Sequence, residues 1–224
     1  MHQHILILDF GSQVTQLIAR RVREAGVYCE VYPCTASIER IKAFAPKGII
    51  FSGGPASVHE GASPKVEREV LALGLPVLGI CYGEQLICDL MGGEVVPGTT
   101  REFGRAEVEV TANSALFDGV WRTGDKCQVW MSHGDKVNRL PPGFSTIATS
   151  DGAPFAAVSD EARKIYGVQF HPEVMHTPDG AKLIENFVRR ICGCAGDWNM
   201  RSFKSEEIAR VRAQVGKGHV ICGV

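Results

Sequence analysis

A chain of 224 residues with 45% hydrophobic and 22% charged residues has the composition of an ordinary globular protein and is long enough to bury a substantial core. Its 24 Lys and Arg nearly balance 25 Asp and Glu, so no global field draws it to nucleic acid or an anionic membrane, and any partner must be argued from a local site. The opening MHQHILILDFGSQ has no basic n-region, and its apolar run is too short for a signal h-region or a membrane span, which makes a cytoplasmic protein the default expectation.

The first half alternates strand-like and helical patterns. HILILDF (4–10) reads as a buried strand; SQVTQLIARRVREAG then places Val14, Leu17, Ile18 and Val22 at helical spacing and stops at Gly26. VYCEVYP is a second strand, SIERIKAFA a short helix, KGIIFSGG (47–54) a third strand and SPKVEREVLALG a third helix. LPVLGI (75–80) is a fourth strand, entering the turn GICYGEQ. This alternation predicts an α/β fold: an open, mostly parallel twisted sheet with right-handed crossovers and helices on both faces. Such sheets bind ligands at the carboxyl ends of their strands, the edge that carries SGGP and Cys81.

From about residue 94 the pattern changes to EVVPG, RAEVEVTA, KCQVWMSH, STIATS, PFAAVSD and RKIYGVQF, which read as antiparallel additions to the sheet. DGAKLIENFVRRIC is a closing helix. After Gly193 the tail begins with loop residues, continues as an amphipathic helix with Ile208, Val211 and Val215 on one face, and ends on the strand-like VICGV. The expected organisation is one domain over 1–193, followed at 194–224 by a linker and the truncated start of another.

Eight cysteines in a mid-sized chain without an export signal read as reduced and mostly buried, Cys29, Cys34, Cys88, Cys127 and Cys192 among them. There is no CxxC pair and no HExxH, so no metal site is expected.

Cys81 differs from the others. Glycines flank it between a buried strand and a helix, the layout of a nucleophile elbow, in which small neighbours permit a strained turn that projects the side chain. A free thiol titrates near pH ~8.5. A helix N-terminus supplies about 0.3–1 kcal/mol, less than the ~1.36 kcal/mol that one pKa unit requires. A histidine partner is therefore needed. QFHPEV offers His171 with Glu173 two residues on, where the alternation of a strand puts both on one side and lets the carboxylate orient the ring. Together they form a candidate Cys-His-Glu triad of nucleophile, general acid/base and orienting carboxylate. On residues alone His133 in MSHGD is an equal candidate for the base. Developing negative charge needs donors, and the backbone N–H of Tyr82 at the helix start and of Gly54 in SGGP are the candidates. Each of these motifs alone has a bland reading, as a buried thiol, a turn or a core histidine. Their ordered placement on one sheet edge is what carries information.

The ordered set SGGP, G-I-C-Y-G-x-Q and H-P-E resembles the class I, or triad, glutamine amidotransferase family over residues 4 to about 193. LDFGSQVTQLIARRVRE, REFGRAE, VWMSHGDKV, GVQFHPEV and GDWNM narrow the resemblance to its branch of glutamine-hydrolysing GMP synthetases. It implies that Cys81 attacks the γ-carboxamide of L-glutamine, that His171 protonates departing ammonia, and that Gly53 and Gln85 help hold the substrate. Ser132, His133, Gly134 and Asp135 correspond to the segment that contacts the amino-acid end of glutamine, and His133 then belongs to the pocket or an interface. The resemblance further implies that ammonia passes to an ATP-pyrophosphatase domain of the same full-length chain, which aminates XMP to GMP. ATP and Mg2+ are expected only in that domain, beginning just after ICGV, and no cofactor in the 224 residues. It leaves the oligomeric state open, a homodimer being one arrangement. Many relatives have Met at position 84, where this chain has Glu. A carboxylate so near Cys81 would disfavour a thiolate, so Glu84 is expected to face solvent or a basic partner such as Arg101 or Arg105. The competing readings are the glutaminase of another synthetase, a non-catalytic glutamine-sensing module, and a cysteine peptidase or related redox-sensing protein. GDWNM and ICGV count against the first, the intact triad against the second, and SGGP with Gln85 against the third.

Overall fold

The computed structural model describes residues 3–216 and 218–221. Nine described strands form one sheet: β1 (His4–Asp9), β2 (Tyr28–Pro33), β3 (Gly48–Phe51), β4 (Val77–Ile80), β5 (Glu94–Val110), β6 (Lys126–Arg139), β7 (Ser145–Thr149), β8 (Ala157–Asp160) and β9 (Ile165–Val168). The spatial order is β2-β1-β3-β4-β9-β8-β7-β5-β6. β2, β1, β3, β4 and β9 run parallel, and β8, β7, β5 and β6 continue the sheet antiparallel.

The central strands are apolar along their whole length because both faces are covered. In β1, Ile5 and Ile7 join one core with Ile18 and Val22 of α1 (Thr15–Glu24) and Leu183 of α4 (Gly180–Glu185), while Leu6 and Leu8 join the other. That second core takes Ile41 of α2 (Ile38–Phe44) and Leu86 and Ile87 of α3 (Tyr82–Leu90). Each such side chain contributes roughly 1.5–3 kcal/mol on burial. Ser37 caps α2 by accepting from the Arg40 amide at 3.3 Å. α4 runs on into a wider π-helical stretch, Asn186–Ile191.

The structure departs from the sequence reading in several places. Leu17 is 37% exposed, and the buried face of α1 uses Thr15 and Ala19 instead. The third helix is only a 3-10 turn, Arg68–Ala72: Glu67 is extended, Val66 and Val70 are buried in the core, and Leu71 and Leu73 pack against it partly exposed. Upstream, the Pro64 carbonyl accepts from the Tyr82 hydroxyl at 2.6 Å. β9 lies at the centre of the sheet, parallel to β4, rather than among the antiparallel additions. Cys127 is only partly buried.

The tail segment is tied to the turn between α1 and β2 by the Trp198 amide, which donates to the Gly26 carbonyl at 2.9 Å. α5 (Met200–Val215) follows, with Ile208 and Val211 exposed. Val220 and Ile221 are exposed and not in a strand, and the rest of VICGV lies outside the described residues. No helix among the described residues is long and apolar enough to cross a membrane.

Candidate active site

Strands β1, β3, β4 and β9 all end at the same edge, and the four segments that leave them build the site. LDFGS after β1 is held by Asp9, whose Oδ1 accepts from the Gly11 amide at 3.0 Å and the Thr15 hydroxyl at 2.7 Å. SGGP after β3 is stitched to it by Ser52, whose Oγ accepts from the Phe10 amide at 3.0 Å and donates to the Gly53 carbonyl at 2.9 Å.

Cys81, leaving β4, has φ 52° and ψ −107°. A positive φ at a residue bearing a Cβ stores about 1–3 kcal/mol and persists only where its surroundings enforce it. Here the glycines enforce it. A Cβ on Gly79 would lie 2.6 Å from the Glu84 amide nitrogen, and one on Gly83 would lie 2.5 Å from the Phe51 carbonyl oxygen. The elbow is thus wedged against β3 in a way only glycine permits. Tyr82 opens α3, so its amide belongs to the first turn, which has no intrahelical acceptor. Its side chain is buried away from the site.

His171 follows β9 and is fixed from two sides: its amide donates to the Trp130 carbonyl at 2.9 Å, and its own carbonyl accepts from the Thr177 hydroxyl at 2.7 Å. Its Nδ1 meets Glu173 Oε1 at 2.7 Å, with Glu173 wholly buried. Burial alone would lower the ring's pKa. Hydrogen bonding to Cys81 and Glu173, reinforced by their negative charge, outweighs it and pushes His171 up to about 10. The Cys81 sulfur also lies 3.6 Å from the Ser132 carbonyl oxygen. Cys81, His171 and Glu173 are therefore assembled in one place, and Gly53 packs between the first two, with a Cβ position 3.2 Å from His171 Cε1 and 3.7 Å from Cys81 Cβ.

These groups open into a cavity of about 640 Å3, lined among others by Gly54, Cys81, Gln85, Ser132, His133 and His171. Gly134 and Asp135 line it as well. Residues 6–191 match the family model for class-I glutamine amidotransferases. The chain belongs to that family.

Among its relatives, a glutamine-hydrolysing GMP synthase of Bradyrhizobium diazoefficiens is 62% identical over 223 residues, covering 100% of this chain and 40% of the relative. One of Phenylobacterium zucineum is 58% identical, covering 100% and 43% respectively. The chain thus spans less than half the length of these relatives. Among solved structures, a GMP synthase subunit protein of Thermoplasma acidophilum superposes with a TM-score of 0.73 at 30% identity, covering 93% of this chain and 98% of that one. A glutamine amidotransferase of Thermotoga maritima shares the fold with a TM-score of 0.68 at 18% identity, covering 86% of this chain and 99% of that one.

Within this amidotransferase domain, His133 does not reach His171's position beside the thiol. Its ring bonds to the Asp135 carbonyl and to Glu102 Oε2, both at 3.0 Å. Gln85 is likewise engaged: its Nε2 donates to the Asp135 carbonyl at 2.9 Å and to Gln169 Oε1 at 3.0 Å, so both amide hydrogens are used and the carbonyl oxygen is what it has left to offer. Glu102 and Gln169 are parts of the site that motif reading missed, since their partners lie 31 and 84 residues away in sequence.

Glu84 contradicts the sequence reading. It faces neither solvent nor a base: its exposure is 0%, and neither carboxyl oxygen has a hydrogen-bond partner among the described residues, Arg105 included. The Arg101 side chain lies outside the described residues. Positions 81, 84 and 88 share one helix face, which turns toward β9, where Gly167 leaves room for the Glu84 side chain. Burial, and then the nearby Cys81, raise its pKa well above the ordinary carboxylate value. The carboxyl is neutral, which is why it is tolerated beside the thiol. Among the described residues there is no His, Cys, Asp and Glu group that could hold a metal ion.

Proposed function

We propose that this chain is the glutaminase part of a GMP synthase, hydrolysing L-glutamine to glutamate and ammonia. The observation that carries the reading is the strained Cys81 elbow facing a His171 ring locked by Glu173 at 2.7 Å, in a cavity large enough for an amino acid.

The Cys81 thiolate attacks the γ-carboxamide carbon, and the oxygen gains a negative charge met by the N–H groups of Gly54 and Tyr82. The imidazolium of His171 gives its proton to the amide nitrogen, the C–N bond breaks, and ammonia leaves a γ-glutamyl thioester. The now neutral ring takes a proton from water, whose oxygen attacks the thioester carbon; cleavage of the C–S bond returns the sulfur and releases glutamate. Glu173 keeps Nδ1–H oriented and Nε2 turned to the sulfur throughout. The Gln85 carbonyl oxygen, left over by its other bonds, accepts from the substrate's carboxamide NH2, and Asp135 Oδ2, buried without a partner among the described residues and on the cavity wall, accepts from the α-ammonium. Gly53, Ser132, His133 and Gly134 complete the walls.

The glutaminase unit spans 1–193, and 194–224 leads toward an ATP-pyrophosphatase domain that uses ATP, Mg2+ and the ammonia to convert XMP to GMP, in the cytoplasm. The GMP synthase names of relatives more than twice as long as this chain support this assignment. Mass spectrometry after treatment with a diazo-ketone analogue of glutamine tests the chemistry: a single adduct on Cys81 is expected, and labelling elsewhere, or none, refutes it.

A further inference from the structure

Residues that face one another as a hydrogen-bonded antiparallel pair exchange both of their N–H···O bonds. His171 and Trp130 complete only half of that exchange: the His171 amide donates to the Trp130 carbonyl at 2.9 Å, and the return bond is not direct. It runs through Thr177, whose Oγ1 accepts from the Trp130 amide at 3.0 Å and donates to the His171 carbonyl at 2.7 Å. One hydroxyl, used once as acceptor and once as donor, is thus inserted between the edge strand β6 and the peptide that carries the proposed base.

Thr177 is itself firmly placed. It is buried, and its main chain is used in the turn that leads to α4: its amide donates to the Val174 carbonyl at 3.2 Å, and its carbonyl accepts from the Gly180 amide at 3.0 Å. The residue before it is also fixed to β6, since the His176 carbonyl accepts from Gln128 Nε2 at 3.0 Å and the His176 ring lies 4.4 Å from that of Trp130. A β-branched side chain so confined has little freedom about χ1. The other parts of the site have separate supports. β6 is paired along β5, from Glu102 opposite His133 to Glu107 opposite Gln128, so the cavity wall that follows Trp130 does not depend on Thr177. The Glu173 carbonyl accepts from Arg21 Nε of α1 at 3.0 Å. His171 lies beyond the end of β9 and has no strand of its own to hold it.

We infer that Thr177 is a positioning residue for the acid/base step: its hydroxyl ties the His171 peptide to β6 and so sets the placement of the ring beside Cys81. This rests on the glutaminase reading above, and it gives a role to a residue three positions beyond the GVQFHPEV motif. Because the substrate walls are held separately, loss of the hydroxyl slows turnover and leaves the binding of glutamine nearly unchanged.

The test is steady-state glutamine hydrolysis by the full-length enzyme. Thr177→Val keeps the shape of the side chain but leaves the Trp130 amide and the His171 carbonyl without their bridge. It should lower kcat by roughly 10- to 100-fold, the scale of a displaced catalytic group, with the KM for glutamine changed by less than about threefold. Thr177→Ser, which keeps the hydroxyl, should recover most of the loss. Thr177→Ala, a second way to remove the hydroxyl, should give the same split between kcat and KM. Ile41→Val, a packing change under α2, should leave both constants as in wild type. Wild-type kcat in the Val and Ala variants, a KM that rises as much as kcat falls, a Ser variant as slow as Val, or an equal loss in Ile41→Val would overturn the assignment. A wild-type enzyme that does not hydrolyse glutamine would instead overturn the glutaminase reading on which it stands.

Discussion

The amide of Cys81 donates to the carbonyl of Val168 across 2.8 Å, so the proposed nucleophile is hydrogen-bonded to the strand that ends three residues before His171. β4 and β9 are parallel neighbours in register from Val77 and Ile165 to Ile80 and Val168. Two residues 90 positions apart therefore emerge side by side from the centre of the sheet, and their relative placement is inherited from backbone pairing rather than from flexible side chains.

That placement depends on the elbow fitting against β3. Gly83→Ala would drive a methyl group to 2.5 Å from the Phe51 carbonyl oxygen and 2.8 Å from Phe51 Cβ. Overpacking of this kind costs about 1–3 kcal/mol. Denaturant unfolding should show that loss, and Cys81 labelling should slow with it. Gly61→Ala is the control, with nothing within 4 Å of its Cβ position, and should leave stability and labelling within error of wild type.

The His171–Glu173 couple has a pH signature. With the ring held up to about 10 against an ordinary 6.5, its contribution to stability is complete below about pH 6.5 and is lost as pH rises through about 10. Glu173→Gln removes one of the two hydrogen-bonding partners that raise the ring, so the loss should still begin near the ordinary 6.5 but be smaller and finish at lower pH in urea unfolding measured between pH 6 and 10. Turnover should separate the two roles. His171→Ala should lower kcat by roughly 10²- to 10⁴-fold, the usual share of general acid-base catalysis, whereas Glu173→Ala should leave activity above that floor.

Much of this frame is legible in the chain. HILILDF, KGIIFSGG and LPVLGI read as strands because burial on both faces demands unbroken apolar runs, and the glycines around Cys81 announce a turn that only they permit. What local pattern could not reveal is set by tertiary pairing. RKIYGVQF reads like its antiparallel neighbours, yet it closes the parallel half because β4 is the partner left available. SPKVEREVLALG has helical spacing, but Glu67 in its middle is extended, and only a 3-10 turn, Arg68–Ala72, forms after it. Cross-strand partnership likewise makes Glu102 part of the site, a relation invisible until β5 and β6 are paired.

Glu84 is the clearest failure of local reasoning, and it yields its own prediction. A buried carboxyl with no partner costs about 1–3 kcal/mol, so Glu84→Met should stabilise the domain by that order. Because the native pKa is raised above the ordinary 4.5, the unfolded chain releases this proton first, and the cost of Glu84 grows as pH climbs above about 4.5. The stability gain of Glu84→Met over wild type should therefore be larger at pH 7 than at pH 4.5 in parallel urea titrations. Since the carboxyl is neutral beside Cys81, the pH midpoint of thiol alkylation should barely move. A pronounced fall in that midpoint would mean that Glu84 is ionised and that burial has been overcome.

Gln85 makes the opposite use of burial. Its amide nitrogen serves two acceptors, the Asp135 carbonyl on β6 and Gln169 Oε1 beyond β9, and so ties α3 to both walls of the cavity. Gln85→Glu keeps the shape but turns an oxygen toward two oxygens, orphaning each at roughly 1–3 kcal/mol. The variant should melt at a lower temperature and bind glutamine more weakly. Gln85→Met removes the substrate's acceptor and leaves the same two groups without their donor, but adds no charge. Calorimetry should therefore rank stability as wild type above Met above Glu, while the glutamine KM should rise in both. If Glu matched wild type in stability, the two bonds would not be holding the wall, and the assignment of the Gln85 carbonyl oxygen to substrate would lose its basis.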